Sequence, residues 1–428
     1  MSFDIETADY IKLDEVTNVY DSLHQTPTYS ETGIPMIRVT DIKDGMLDLS
    51  QTLKVEVDVY KEFTKKYRPQ MGDIVVSRVG SYGKFSFVNT NSPFCLGQNT
   101  AIINPTNIDN RYLYYCLISN VVKNQIEQNV VGSTQKTLSL KSIKALEIPN
   151  KKLDVQKKIA SILSSLDDKI EVNTRMNKVL EQIAQIIFKQ WFVDFEFPNE
   201  NGQRYKSSGG EMVWCSELDK DIPKGWSNGT VEDLGMVVGG GTPSKDNDEF
   251  FTTKGIPWIT PRDLSTNKNK YIYRGSTDIT ELGLKNSSAT LMPEGTVLFS
   301  SRAPIGYTAI AACPVTTNQG FKSIVPKSNI PTEFVYNFLK ENLELIESMA
   351  SGSTFKEVSG GVLKRVKAII PNDEILEKFK ALVTPLGDKI KHNEREIVAL
   401  GNLRDTLLSK LMSGEIDVST VEHELAVM

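Results

Sequence analysis

A series of short segments in the first half of this 428-residue chain returns, in the same order, in the second half. Ile34-Pro35-Met36-Ile37 with Asp41-Ile42 recurs 222 positions on as Ile256-Pro257-Trp258-Ile259 with Asp263-Leu264. Gly72-Asp73-Ile74-Val75-Val76 and Ser77-Arg78 come back as Gly295-Thr296-Val297-Leu298-Phe299 and Ser301-Arg302, and Gly83 as Gly306. Gly132-Ser133-Thr134-Gln135-Lys136 returns as Gly352-Ser353-Thr354-Phe355-Lys356, and Ile148-Pro149-Asn150 as Ile370-Pro371-Asn372. Each match alone is weak, but chance does not explain a shared order with an almost constant offset. A repeat on this scale means two copies of one folding unit and a pseudo-two-fold molecule.

Each copy has two parts. Residues 1–150 and 226–372 carry short β-type runs, such as Asp73-Ile74-Val75-Val76 and Thr296-Val297-Leu298-Phe299, broken by Gly, Pro and Asn turn signals. Shorter helices are expected at Tyr112 to Gln128 and Glu333 to Met349. Residues 151–197 and 373–415 are predicted as long helices. Between the copies, 198–225 is rich in Gly, Ser, Asn and Glu and reads as an exposed connector, and 416–428 as a tail.

The two helices share one register. Ile159, Leu166, Asn173, Leu180 and Ile187 fall at the first position of successive heptads, and Phe379, Leu386, Asn393, Leu400 and Leu407 repeat them at a shift of 220. Ile162, Met176, Ile183, Leu382 and Leu403 fall at the fourth position. Sustained heptads argue for a coiled coil, and a matched Asn in the seam specifies register and partner. The expectation is therefore an antiparallel coiled coil between the helices; the alternative is two amphipathic helices, each packed on its own domain. Pro385 and Gly401 interrupt the second helix, so a bend or a later start is expected there. About 40 residues at 1.5 Å each make a rod of roughly 60 Å. On DNA that is somewhat under two turns, so the helices can act as a ruler between two domains.

Composition limits the function classes. The chain is too long for one ordinary core, and 39% hydrophobic with 24% charged residues is a soluble, globular balance. No apolar run reaches the roughly 20 residues that span a bilayer, and the acidic start Met1-Ser2-Phe3-Asp4-Ile5-Glu6 does not resemble a signal peptide. Cys95, Cys116, Cys215 and Cys313 stand far apart, as reduced, mostly buried thiols of a cytoplasmic protein do. The net charge of −5 weighs against a nucleic-acid binder unless basic residues gather on one face.

Several segments together carry a family resemblance: Ile222-Pro223-Lys224-Gly225-Trp226, Gly240-Gly241-Thr242-Pro243-Ser244, Gly255-Ile256-Pro257-Trp258-Ile259-Thr260, Phe188-Lys189-Gln190-Trp191-Phe192-Val193-Asp194-Phe195, and Leu403-Arg404-Asp405-Thr406-Leu407-Leu408 running to Ile416. Over nearly its whole length the chain resembles the specificity subunit of Type I restriction-modification enzymes. The first copy departs from the pattern, with Gln25-Thr26-Pro27-Thr28 in place of the Gly-rich segment. The resemblance implies an α+β fold, with two pseudo-symmetric β-rich target-recognition domains separated by two long helices that form an antiparallel coiled coil. It implies a non-catalytic subunit of a restriction endonuclease and adenine-N6 DNA methyltransferase complex, acting in host defence. Its partners would be double-stranded DNA, two methyltransferase subunits and, where the complex includes them, nuclease/translocase subunits, with no membrane role. No cofactor is expected in this chain: S-adenosylmethionine would belong to the methyltransferase, and ATP and Mg to a nuclease.

The residues agree that catalysis lies elsewhere. Asn104-Pro105-Thr106-Asn107 lacks the second proline and the aromatic of an adenine methyltransferase motif. Val238-Gly239-Gly240-Gly241 does not open a helix, and Gly80-Ser81-Tyr82-Gly83-Lys84 has the wrong spacing for a phosphate-binding loop. His24, His392 and His423 are too scattered for a metal site, and none is predicted.

Sequence readout needs side chains at base edges and cations at phosphates. Ser133, Thr134, Gln135 and Lys136, with Ser353, Thr354 and Lys356, suit those tasks, or else form ordinary turns. Arg78 and Arg302 are candidates for guanine or phosphate, or for surface ion pairs. Arg38, Arg262 and Lys84 complete the set, and the basic run Lys268 to Arg274 reads as solvated or phosphate-facing. Trp258 reads as core. Because the loops differ while the framework repeats, the halves are expected to read different sequences of an asymmetric target. A protein-interaction scaffold without DNA specificity and a self-sufficient enzyme are the alternatives.

Overall fold

The computed structural model describes residues 9–130, 136–352 and 356–418. The described residues divide into two compact units, one within 9–170 and 399–418 and one within 171–398.

In the first unit the chain enters on Tyr10–Lys12, which pairs antiparallel with Glu147–Pro149 and so closes the domain on itself. A five-stranded sheet follows in the order Thr17–Asp21, Thr100–Pro105, Ile74–Ser77, Phe85–Phe87, Gly45–Met46. Its central strand Ile74–Ser77 is buried throughout, so the apolar run needs no alternation. A smaller sheet orders Leu53–Val55, Ile34–Ile37 and Cys95–Leu96. One side of the larger sheet packs on the helix Asn110–Ile118, whose Tyr112, Leu113, Tyr115 and Leu117 are buried.

The second unit repeats this plan. Ser227–Thr230 pairs with Lys367–Ile370. The five-stranded sheet runs Gly235–Gly239, Lys322–Pro326, Val297–Ser301, Ile305–Ala311, Tyr271–Ile272, the same order strand for strand. In both copies the last strand joins in parallel (Gly45–Met46 on Phe85–Phe87, Tyr271–Ile272 on Ile305–Ala311). Trp258, 7% exposed, is core, and its indole Nε1 donates to the Gly241 carbonyl at 2.9 Å.

Each helix expected after the sheet is two. Ser119 leaves helical geometry to end Asn110–Ile118 and then caps Asn120–Asn129 through its hydroxyl. In the second copy Thr332–Glu341 gives way to Leu343–Ser348 at Asn342.

The long helices are Leu153–Phe188, ending in a π turn Lys189–Val193, and Asp373–Ser413. Pro385 sits inside an unbroken helix, so the later start expected from it does not occur. Both Pro385 and Ala381, whose carbonyl loses its donor, lie at exposed positions where water can replace the bond. Within the second unit the helices run antiparallel. Asn173 Nδ2 donates to Glu396 Oε2 and Asn393 Nδ2 to Asn177 Oδ1, both at 2.8 Å, while Phe188 and Phe192 reach Phe379. Within the first unit Arg404 Nη1 donates to Asp167 Oδ1 at 2.7 Å, and Leu408, Leu411 and Met412 share a core with Ile159, Ile162 and Leu163.

Ile159, Asn173, Phe379 and Asn393 are buried and Leu166, Leu180, Ile187, Leu386, Leu400 and Leu407 half-buried. The fourth-position column is corrected. Met176, Ile183, Leu382 and Leu403 are 37–46% exposed, whereas Leu163, Ala184, Val383, Ile390 and Leu411 are buried. The seam's second column lies four residues after the first.

The connector is also folded. Met212–Cys215 and Lys220–Pro223 form a hairpin, and Phe197 stacks on Tyr205 and Trp226 at 4.5 and 5.0 Å. Its polar composition concealed aromatics at its two ends.

Candidate nucleic-acid interface

In the first unit the strand Ile74–Ser77 ends at Arg78. This guanidinium is committed to the protein: it is 12% exposed, ion-paired with Asp21, and its Nε donates to the Leu138 carbonyl at 3.3 Å. Asp21 also meets His24 Nε2 at 3.1 Å. Arg38 is similarly occupied. Its Nε and Nη2 donate to Asp41 at 3.0 and 2.9 Å, and this carboxylate holds the guanidinium even more firmly protonated than usual. These contacts tie the Arg38 and Arg78 guanidinium groups to carboxylates of their own domain.

Five other cations are more available. Lys84 reaches Asp44 at 3.2 Å but is half exposed. Lys136 is exposed; its Nζ donates to the Tyr82 hydroxyl at 3.3 Å and lies 3.7 Å from Glu127. The hydrogen bond to Tyr82, with the charge of Glu127, raises its pKa. Ser133, Thr134 and Gln135 lie outside the described residues. The sequence reading passed over Lys65, Lys66 and Arg68, exposed on the loop after the helix Val57–Phe63 and without an ion pair to another described residue. The Lys-Lys-Tyr-Arg run was visible as local charge.

In the second unit Arg302 is matched to Arg78 in sequence but not in environment. The first unit's strand Thr17–Asp21 ends in a carboxylate, and its counterpart Gly235–Gly239 ends in glycine. Arg302, 36% exposed, turns instead to Glu357 at 3.5 Å and shares it with Lys322. Arg262 lies exposed in the first turn of the helix Pro261–Thr266, and Lys356 is exposed; neither pairs with another described residue. Ser353 and Thr354 lie outside the described residues.

The run Lys268 to Arg274 is corrected. Lys270 is 4% exposed, its Nζ 2.5 Å from Glu333 Oε2, and Arg274 pairs with Asp278. The backbone amides of Lys270 and Tyr271 donate to Glu394 at 2.7 and 3.1 Å. Burial raises the Glu394 pKa to about 7. Lys270 looked solvated because its partner is 63 residues away in sequence.

The Gly-rich segment of the second unit is a packing device. A Cβ on Gly240 would stand 1.9 Å from the Asn318 carbonyl oxygen, and one on Gly241 2.3 Å from the Ala289 nitrogen. Only glycine permits that approach, so the loop is filled by protein and cannot cradle a phosphate. Among the described residues no group of three or more His, Cys, Asp or Glu could hold a metal, and no helix is long and apolar enough to cross a membrane.

Residues 6–182 and 223–400 each match the Type I restriction modification DNA specificity domain, one match per repeat. The chain belongs to the Type I restriction-modification specificity family. It is 29% identical over 402 residues to the HindI specificity subunit of Haemophilus influenzae, covering 81% of this chain and 86% of that one. It is 41% identical to the MjaIX specificity subunit of Methanocaldococcus jannaschii over 177 residues, 41% of each chain. The fold is similar to the crystal structure of the Type I S subunit from M. genitalium, with a TM-score of 0.58 at 16% identity, over 96% of this chain and 98% of that one. A specificity-family chain thus places two β-rich domains of one topology in alternation with two long helices.

Proposed function

We propose that this chain is the cytoplasmic, non-catalytic DNA-reading subunit of a Type I restriction-modification complex. Each β-rich domain reads one half of a split, asymmetric target on double-stranded DNA. The observation that carries the reading is one strand order furnished with two sets of loop chemistry. Lys65, Lys66, Arg68, Lys84 and Lys136 stand in the first unit, and Arg262, Arg302 and Lys356 in the second. Cations on loops held by a shared sheet framework would supply phosphate contacts, and differing neighbours different base contacts. The overall charge of −5 fits if the acids are spent inside and along the helices, as at Asp21, Asp167, Glu181 and Glu394.

The helices would set the distance between half-sites and dock two methyltransferase subunits. Val172, Met176, Val179, Ile183 and Ile186 recur at three- and four-residue steps and are 37–55% exposed. That spacing is one helical stripe, and it offers an apolar seam to a partner helix. S-adenosylmethionine would be held by the methyltransferase, and ATP and Mg by a nuclease subunit where one joins.

The test is to co-express the chain with its methyltransferase and map N6-methyladenine in the host DNA. The expected result is one motif of two different short half-sites around a fixed unread gap. A palindromic motif would remove the asymmetry. No motif in a stable, expressed complex would favour a protein scaffold.

A further inference from the structure

One cavity of about 230 Å³ opens in the first unit between the edge strand Thr17–Asp21 and the loop after the helix Val57–Phe63. Its apolar lining includes Phe63, Leu96 and Ile102. Tyr20 and Tyr67 also line it, their rings stacked 4.1 Å apart and 10° from parallel. Tyr67 is fixed by its hydroxyl, which donates to both oxygens of Asp73 at 2.9 and 3.0 Å. At the cavity, Ser22 is 5% exposed, yet its Oγ has no hydrogen-bond partner. Buried hydroxyls are nearly always satisfied, so an orphan beside a cavity marks a missing partner. Exposed Gln25 brings an amide that can donate and accept, and exposed Lys65 and Lys66 bring two cations.

The second unit has closed the corresponding space. Strand register places Gly240 where the first unit has Ser22, and Gly240 and Gly241 are packed against Asn318, Ser288 and Ala289. Counting back from Gly72 and Gly295, Ser288 and Ala289 stand where the first unit has Lys65 and Lys66. The orphan hydroxyl and the two lysines are therefore found together beside the cavity in one copy, while in the other Gly240, packed against protein, and Ser288 and Ala289 stand at the matching positions.

We propose that this pocket binds one nucleobase, with the lysines on the adjoining phosphates, and that its source is a base rotated out of the duplex read by the first unit. Sites for drug-sized ligands occupy roughly 300–1,000 Å³, so this cavity suits a single heterocycle better than a whole cofactor. Apolar and aromatic walls with a few hydrogen-bonding groups are what extruded bases meet elsewhere. Paired cations beside a ring site follow the logic of single-strand grooves. The inference rests on the DNA-reading function proposed above, and it makes the two domains differ in mode as well as in sequence.

The test uses the full chain in complex with its methyltransferase and duplexes of the mapped target. Fluorescent analogues, 2-aminopurine for purines and pyrrolocytosine for pyrimidines, replace each base in turn. One position in the first unit's half-site should brighten several-fold on binding, and none in the other half-site. Gln25→Trp, an exposed substitution at the mouth, should abolish that signal and lower duplex affinity by about tenfold, the worth of one stacked base. Lys65→Ala with Lys66→Ala should weaken the signal without altering the fold, as circular dichroism would report. A tightly bound duplex with no bright position overturns the extruded-base source while leaving DNA reading intact. Gln25-dependent binding of free deoxynucleoside monophosphates in that case would assign the pocket to free nucleotides; no such binding would overturn the pocket altogether. Failure to bind any duplex would instead sink the DNA-reading function.

Discussion

Arg78 and Lys356 were candidates of the same kind, and their surroundings separate them. Arg78→Ala leaves Asp21 half-buried beside His24 alone, so it should cost about 1–3 kcal/mol in urea unfolding. Its effect on DNA affinity should be secondary to that loss. Lys356→Ala and Arg262→Ala remove exposed, unpaired cations and should leave stability within about 0.5 kcal/mol. If they touch phosphates, each lowers the slope of log affinity against log salt by about 0.9, read by fluorescence anisotropy at several salt concentrations. Glu394 gives a pH signature. Its folded pKa of about 7 lies above its ordinary value of 4.5, so the folded state holds the extra proton. The contribution of Glu394 to stability is therefore greatest below pH 4.5, falls as pH rises from there, and levels off above pH 7. Glu394→Gln should flatten that part of the stability curve and raise Tm at pH 8, while one amide oxygen still accepts from the backbone. These distinctions could not be read from sequence. Asp21 and Arg78 are 57 residues apart, and Lys270 and Glu333 63, and nothing in local spacing joins them.

The long helices show how far periodicity can be trusted. The first heptad column faces inward along both helices because apolar residues and one Asn return every seven positions. The second column could not be chosen by pattern, since positions three and four after it are often both apolar, as in Ile162-Leu163, Ile183-Ala184 and Leu382-Val383. The tertiary structure buries Leu163, Ala184 and Val383, and leaves Ile183 and Leu382 outside. The misplaced residues then become informative, because Met176 and Ile183 join the exposed stripe. Val179→Glu with Ile183→Glu should abolish co-purification of the methyltransferase without lowering Tm, since neither side chain is buried. Phe379→Ala, which empties a fully buried site among Phe188, Phe192 and Phe334, should cost about 3–5 kcal/mol by thermal unfolding. The π turn after Phe188 serves that cluster by carrying Trp191 and Phe192 into it.

For the molecule as a whole, the repeat was legible because the framework is conserved where geometry demands it. Ile-Pro strands, Gly turns before the central strand and the closing strand recur, and the two five-stranded sheets follow one order. What was illegible lies between the framework residues: a cavity in one copy and a glycine-filled space in the other, and a connector folded by Phe197 and Trp226. If the helices are a ruler, matched seven-residue insertions after Ile170 and Val398 should lengthen each by about 10 Å. The unread gap should then grow by about three base pairs at the 3.4 Å rise of one strand. A gap of unchanged length in the methylation map would reject the ruler.

The central claim, one domain for each half-site, is met most directly by exchanging residues 226–372 for the equivalent segment of a family member with a known target. The hybrid is expressed with the methyltransferase, and N6-methyladenine is mapped across the host genome. The account predicts a motif that keeps one original half-site and its spacing and takes the donor's half-site on the other side. A hybrid that methylates with both half-sites unchanged, or with both replaced, would contradict it.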